Sequence, residues 1–134
     1  MGEVAGVGEG AGVVEEFVQI TVPGRARPSV RITGRSKWTK AAKAYLAWQR
    51  KVAECCKGIK RPVPWKDIYI QYTFYFCNRR HGDLTNLVKS TEDGLQYGRL
   101  IENDRAVRES HARLLYCSSP AEERVEIVVS EAKL

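Results

Sequence analysis

DIYIQYTFYFCNRRHGDLTNLVK, residues 67–89, decides how this chain is read. Its first half alternates. Ile68, Ile70, Tyr72, Phe74 and Phe76 fall on one face, and Tyr69, Gln71, Thr73 and Tyr75 on the other. That period of two predicts a strand over 67–77. Large apolar residues on both faces make it a central strand, and its aromatic rings are read as core. The second half is a short basic loop that enters a helix at Asp83, whose side chain can accept a free amide one turn on. Arg79, Arg80, Asp83, Asn86 and Lys89 thus converge on one strand-to-helix junction. These residue types can hold a phosphodiester and a hard cation. They also suit a capped helix beside a solvated loop.

Downstream, Leu84, Leu87, Val88, Thr91 and Leu95 form the inward side of a helix over 84–97, ended by Gly98. A strand is expected over 105–117. Ser118-Ser119-Pro120 then turns the chain into a last strand over 124–130, antiparallel to its predecessor if the turn closes as a hairpin. Upstream, Glu16 to Val22 alternates as a strand and Pro23-Gly24 ends it. The β-branched run at 29–33 is expected as a short edge strand. Thr39 can cap a helix reaching residue 57, with Ala41, Tyr45, Trp48, Val52 and Cys55/Cys56 as its apolar stripe. Pro62 and Pro64 forbid helix beyond it. Residues 1–14 hold five glycines and no aromatic residue, which suggests a flexible tail. Residues 15–134 then make one α/β (α+β) domain. Its order is β(β)αβαββ, a mixed sheet of about four strands packed with two helices.

The chain has 134 residues, too few for two separate cores, and a formal charge of +6. Charge placement says more than its sum. Arg25, Arg27, Arg31, Arg35, Lys37, Lys40 and Lys43 lie in one stretch with no acidic residue among them. Arg50, Lys51, Lys57, Lys60, Arg61 and Lys66 extend the excess. Such a cluster suits a polyanion. No apolar run has membrane-span length, no signal-peptide pattern opens the chain, and no basic amphipathic helix stands at a terminus. The expected location is cytoplasmic, with no membrane partner. The four cysteines form no C-x-x-C pair, which argues against zinc and for reduced packing residues.

A magnesium-dependent nuclease needs one or two carboxylates near the ion, with water and phosphate completing the shell. Asp83, Glu92, Asp93, Glu102 and Asp104 are the candidates. Lys89 lies three residues after Asn86 and four before Asp93, so these three share a helix face. A surface Lys–Asp pair explains the second spacing as well.

Asp83-Leu84-Thr85-Asn86-Leu87-x-Lys89, then Asp93-Gly94-Leu95, then Leu100-Ile101-x-Asn103-Asp104, resembles the RusA family of Holliday junction resolvases, with spacing that matches without a gap. Val22-Pro23-Gly24 with Arg27-Pro28, and Val125-Glu126-Ile127, are similar to that family's ends. The resemblance spans about residues 17–131. It implies a homodimeric endonuclease dependent on Mg²⁺, with Mn²⁺ as an alternative. Such an enzyme nicks four-way DNA junctions in recombination and repair. Asp83 and Asp104 would be its metal ligands, with Asp93 in support, and Lys89 its catalytic lysine. Thr85 stands where the family has a second aspartate, and Asn103 where it has the first of an Asp-Asp pair. Asn86 would orient a neighbour. Arg25, Arg27, Arg31, Arg35, Lys37, Arg79 and Arg80 would hold DNA backbones.

Two other readings accompany this one. The first is a junction-binding protein of the same fold whose cleavage is weakened by Thr85. The second is a basic module for nucleic acid or protein whose carboxylates serve as caps and ion pairs. A helix between Asp83 and Asp104 holds them about 20 Å apart. One chain closes that gap only if Arg99 to Asn103 runs back along the helix nearly fully extended, with Leu100-Ile101 packing in support. A site completed by Asp104 of a second subunit avoids so taut a return and is favoured.

Overall fold

The computed structural model describes residues 2–10, 13–59 and 62–134, with side chains described from residue 16 on. Strands β1 (Gly2–Gly10) and β2 (Val13–Pro23) precede helix α1 (Lys40–Cys55). Strand β3 (Ile68–Phe76) leads to helix α2 (Leu84–Tyr97), followed by β4 (Val107–Tyr116) and β5 (Arg124–Glu131). The mixed sheet runs β1-β2-β5-β3-β4. The expected four strands and two helices are therefore present, with β1 added at one edge.

β3 is central, as its two-faced apolarity requires. It pairs parallel with β4 and antiparallel with β5. The parallel pair follows from connectivity, because α2 forms the crossover of a strand–helix–strand unit. Ile68, Ile70, Tyr72, Phe74 and Phe76 are almost wholly buried, together with Ile20 and Val22 of β2 and Val125, Ile127 and Val129 of β5. Trp48 and Val52 of α1 and Leu87 and Leu95 of α2 close the core over that face. The opposite face carries the half-buried Tyr69, Gln71 and Tyr75.

The two helices pack closely, and glycine permits it. A Cβ on Gly94 would stand 2.6 Å from Val52 Cβ, and one on Gly98 2.8 Å from Ala53 Cα. Thr39 and Asp83 cap the helices as expected, accepting from the amides of Ala42 and Asn86. After Gly98 the chain reverses through Arg99, at φ +63°. The buried Leu100 and Ile101 then anchor the return, with the Leu100 amide donating to Leu95 O at 2.9 Å.

Three expectations change. Residues 29–33 form no strand, since β1 and β4 occupy the sheet edges; the Ser29 amide donates instead to Asn86 O of α2 at 3.0 Å. β4 and β5 form no hairpin. The chain crosses the end of β3 through the short 3-10 turn Pro120–Glu122, and β5 inserts between β2 and β3. Charged residues at Arg108, Glu109 and Arg113 suit β4 to an edge, whereas Val125, Ile127 and Val129 demand burial. Finally, the stretch expected as a tail supplies β1, paired antiparallel with β2. An edge ladder uses backbone groups that glycine also carries. Met1, Ala11 and Gly12 of that stretch, and Lys60 and Arg61 of the basic extension, lie outside the described residues.

Candidate nucleic-acid and cleavage site

The loop between β3 and α2 is held from beneath by an ion pair that no sequence spacing announces. Glu123, 6% exposed, accepts from Arg25 Nη1 at 2.5 Å and from the Cys77 amide at 3.0 Å. Burial works to raise its carboxyl pKa. The Cys77 backbone amide, the Cys77 thiol and Arg25 outweigh that and hold it below the ordinary value. Arg25 also donates to Asn78 Oδ1 at 3.1 Å and to the Arg80 carbonyl, and lies over the Phe76 ring. The structure thus turns Arg25 inward, to latch the loop. Arg27, Arg31, Arg35, Lys37, Arg79 and Arg80 are exposed. Arg79 lies over Tyr116, 4.8 Å from the ring centroid. His81 stacks on Phe76 at 4.7 Å, and its ring nitrogens lie 2.8 Å from Gly82 O and from Tyr116 Oη. It serves as a packing piece of the loop.

Asp83 caps α2 and stays exposed. The Asn86 amide donates to Asp83 Oδ1 at 3.0 Å, and Asn86 Nδ2 to Oδ2 at 3.3 Å. Asn86 therefore fixes the plane of the carboxylate. Ser29 Oγ lies 3.4 Å from Asn86 Oδ1, and Ser90 Oγ donates to Arg27 O at 2.5 Å. The basic segment is bonded along the first turns of α2 by these contacts. Thr85 is exposed beside Asp83.

A second carboxylate group lies further along α2. Glu92 accepts from Tyr72 Oη at 3.1 Å, and Asp93 from Tyr45 Oη at 2.6 Å. Burial, then Asp93, pushes the Tyr45 hydroxyl up to about 12. Burial raises the Glu92 carboxyl, and Asp104 and Asp93 repel its charge further, while Tyr72 and Lys89 act the other way. Lys89, Asp93 and Asp104 thus all act on the charge of Glu92. Asp104 opens the short 3-10 turn Asp104–Ala106 and is exposed, with Asn103 capping the turn through the Arg105 amide. The return after α2 places it there. Glu102 is exposed on the same connection.

Among the described residues, no three His, Cys, Asp or Glu side chains gather into a metal nest. Mg²⁺ asks for less, since one or two carboxylates and water satisfy it. The neighbouring, mutually repelling Glu92 and Asp104 have the right chemistry for a hard cation, and so does the singly exposed Asp83. Tyr72, Tyr45, Ser29 and Glu123 escaped the sequence reading as site supports. Tyr72 and Tyr45 carry no signal beyond an apolar stripe, and Glu123 pairs across 98 residues.

No helix among the described residues is long and apolar enough to cross a membrane. None of the four cysteines is in a disulfide. The family model described as Endodeoxyribonuclease RusA matches residues 20–130. No curated protein matches the sequence. Among solved structures, the OmpA-like domain of FopA1 from Francisella tularensis subsp. tularensis SCHU S4 aligns over 98% of this chain and 82% of that one, at 14% identity and a TM-score of 0.33.

Proposed function

Because the chain belongs to the RusA endodeoxyribonuclease family, we propose that it is a homodimeric, divalent-cation-dependent endonuclease that nicks four-way DNA junctions. The observation that carries the proposal is the junction of β3 and α2. There an exposed, oriented carboxylate at Asp83 adjoins a cation-rich segment bonded to the same helix.

Asp83 and Asp104 would hold the cation, with Asp93 or Glu92 in support. The cation would supply charge neutralisation at the phosphate and a more acidic bound water. The chain's own groups do the rest. Asn86 keeps the Asp83 carboxylate in one orientation. Lys89 is six residues from Asp83 and three from Glu92, about 9 Å and 4.5 Å along the helix. It can place positive charge where a phosphodiester oxygen gains negative charge. Arg27, Arg31, Arg35, Lys37, Arg79 and Arg80 bind backbone phosphates, which position DNA without reading its sequence. Arg25 keeps the loop in place.

Glu92 lies nine residues after Asp83, about 13 Å along α2, and Asp104 belongs to its neighbourhood. In a two-fold dimer one subunit's Asp104 would complete the partner's site, whereas the return after α2 also carries Asp104 back toward Lys89 within one chain. Two equal sites of that kind suit symmetric nicking.

The test incubates purified protein with a synthetic four-way junction and a linear duplex, in Mg²⁺, Mn²⁺ or EDTA. Paired nicks in the junction, dependent on the cation, are expected. Junction-selective binding without cleavage would instead indicate a protein weakened by Thr85, and neither result would leave a basic module of another kind.

A further inference from the structure

We infer that Trp38 is a base-stacking element, its indole contacting an unstacked nucleobase of the DNA strand whose phosphates the surrounding cations hold. The inference rests on the reading of the chain as a DNA-junction nuclease and adds a contact with the bases themselves.

Trp38 is 70% exposed, whereas Trp48 is 3% exposed and Trp65 half-buried. Single exposed apolar residues are common, so exposure alone says little. Here the exposed ring stands on a bonded turn. Ser36 Oγ accepts from the Thr33 amide at 2.7 Å and donates to Arg31 O at 3.0 Å. The Ser36 amide donates to Thr33 Oγ1 at 3.1 Å, and the Lys37 amide to Thr33 O at 3.1 Å. Thr39 donates its hydroxyl to Ser36 O at 2.8 Å while capping α1 through the Ala42 amide. The 3-10 turn Ser36–Trp38 is thereby tied on both sides.

The ordinary structural use of an apolar residue before a helix cap is to pack on the fourth helical residue. That residue here is Lys43, which is exposed and charged. Trp38 gains no such staple. A core role is equally absent, since no residue of the turn is buried.

The charge shown beside the indole is positive. Lys37 Nζ lies 5.1 Å from its ring centroid. Residues 25–43 hold seven cations and no acid. The same segment is bonded to α2 beside Asp83, through Ser29 to Asn86 and Arg27 to Ser90. A strand tracking the cations away from Asp83 would bring its bases to Trp38. Every base has a π-face, so an exposed indole beside cations takes any of them. An acidic protein segment would match the charge but would leave the exposed indole without a flat partner.

The experiment uses full-length protein in EDTA, with a fluorescein-labelled four-way junction, the matching linear duplex and polyglutamate as probes. Wild type should bind the junction with quenching of tryptophan emission. Trp38→Ala should lose affinity for the junction about tenfold, with the salt slope of binding unchanged because every phosphate-binding cation remains. Trp38→Phe should keep affinity within about twofold, since a phenyl ring also stacks, but should lose the quenching. Junction binding by Trp38→Ala at wild-type affinity, or quenching that persists in Trp38→Phe, overturns the inference while leaving the nuclease reading intact. Wild-type binding to polyglutamate and to no DNA overturns both. If Trp38→Ala does not fold, quenching in wild type and its loss in Trp38→Phe decide the matter.

Discussion

Asp83 at the start of α2 and Glu92 with Asp93 more than two turns later are carboxylates on one helix, but their surroundings differ. Asp83 is exposed, receives two hydrogen bonds from Asn86, and adjoins a loop rich in arginine. Glu92 and Asp93 are half-buried, and each accepts from a tyrosine hydroxyl on another element. Asp104 joins the second group, where burial first, and then the like charges of Asp104 and Asp93, raise the proton affinity of Glu92. Carboxylates that read as one set in the sequence have two kinds of surroundings. The first is open to a phosphodiester, and the second is braced against the core. Lys89 stands between them. A helix cap stabilises by about 1 kcal/mol. The exposure of Asp83 is thus compatible with a second task, and its contribution to the fold is small enough to separate from its contribution to cleavage.

The largest expected effect is on cleavage. Lys89→Met should slow junction nicking about 10²- to 10³-fold, the cost of removing one group that stabilises developing charge. Its thermal stability should match wild type, because Lys89 is exposed. A full rate measured in single turnover would break the idea that Lys89 links the two carboxylate groups.

Next comes the latch beneath the loop. Glu123→Ala leaves Arg25 unpaired in a largely buried place and should cost about 3 kcal/mol by urea unfolding. The pH sign follows from its depressed folded pKa. The pair's contribution is fully present above the unfolded carboxylate value, about 4.3, and is lost as pH falls through the lower folded value. Wild type should therefore lose more stability than Glu123→Ala on acidification below about pH 4. Parallel losses in the two proteins would show that the pair is not coupled to folding.

A smaller effect concerns DNA. Replacing Arg27 and Arg31 with Gln should flatten the plot of log affinity against log salt by about 1.8, near 0.9 for each phosphate no longer neutralised. The Arg25→Gln protein, if folded, should show no comparable flattening. Equal slopes in all three proteins would place the DNA elsewhere.

The smallest is Thr85→Asp. It adds a carboxylate on the first turn of α2, one turn before Lys89. Cation affinity should rise, and cleavage by a few-fold if ligand charge limits the rate. An unchanged Mg²⁺ titration would put Thr85 away from the metal.

Much of the fold was legible. Alternation in β3, the cap at Thr39 and the cap at Asp83 each rest on local rules that tertiary contacts reinforce. The order of the strands was less so. A turn at Ser118-Ser119-Pro120 looks like a hairpin until β5's continuous Val/Ile face is weighed against β4's charges. The family motif led to Asp83, Lys89 and Asp104. It could not foresee that Arg25 faces Glu123 across 98 residues, or that Tyr45 and Tyr72 brace the acids of α2. Those contacts are set by the sheet's register, which no local spacing encodes.

The most direct test of a site shared between two subunits mixes Asp83→Asn and Asp104→Asn proteins after denaturation and refolding, and measures nicking of a synthetic four-way junction. Each mutant alone should bind the junction without cutting it. The account predicts that the mixture regains activity, because each mixed dimer carries one doubly altered site and one intact site. A mixture that stays inactive, while both mutants dimerise and bind, would contradict the shared site and assign Asp83 and Asp104 to one chain.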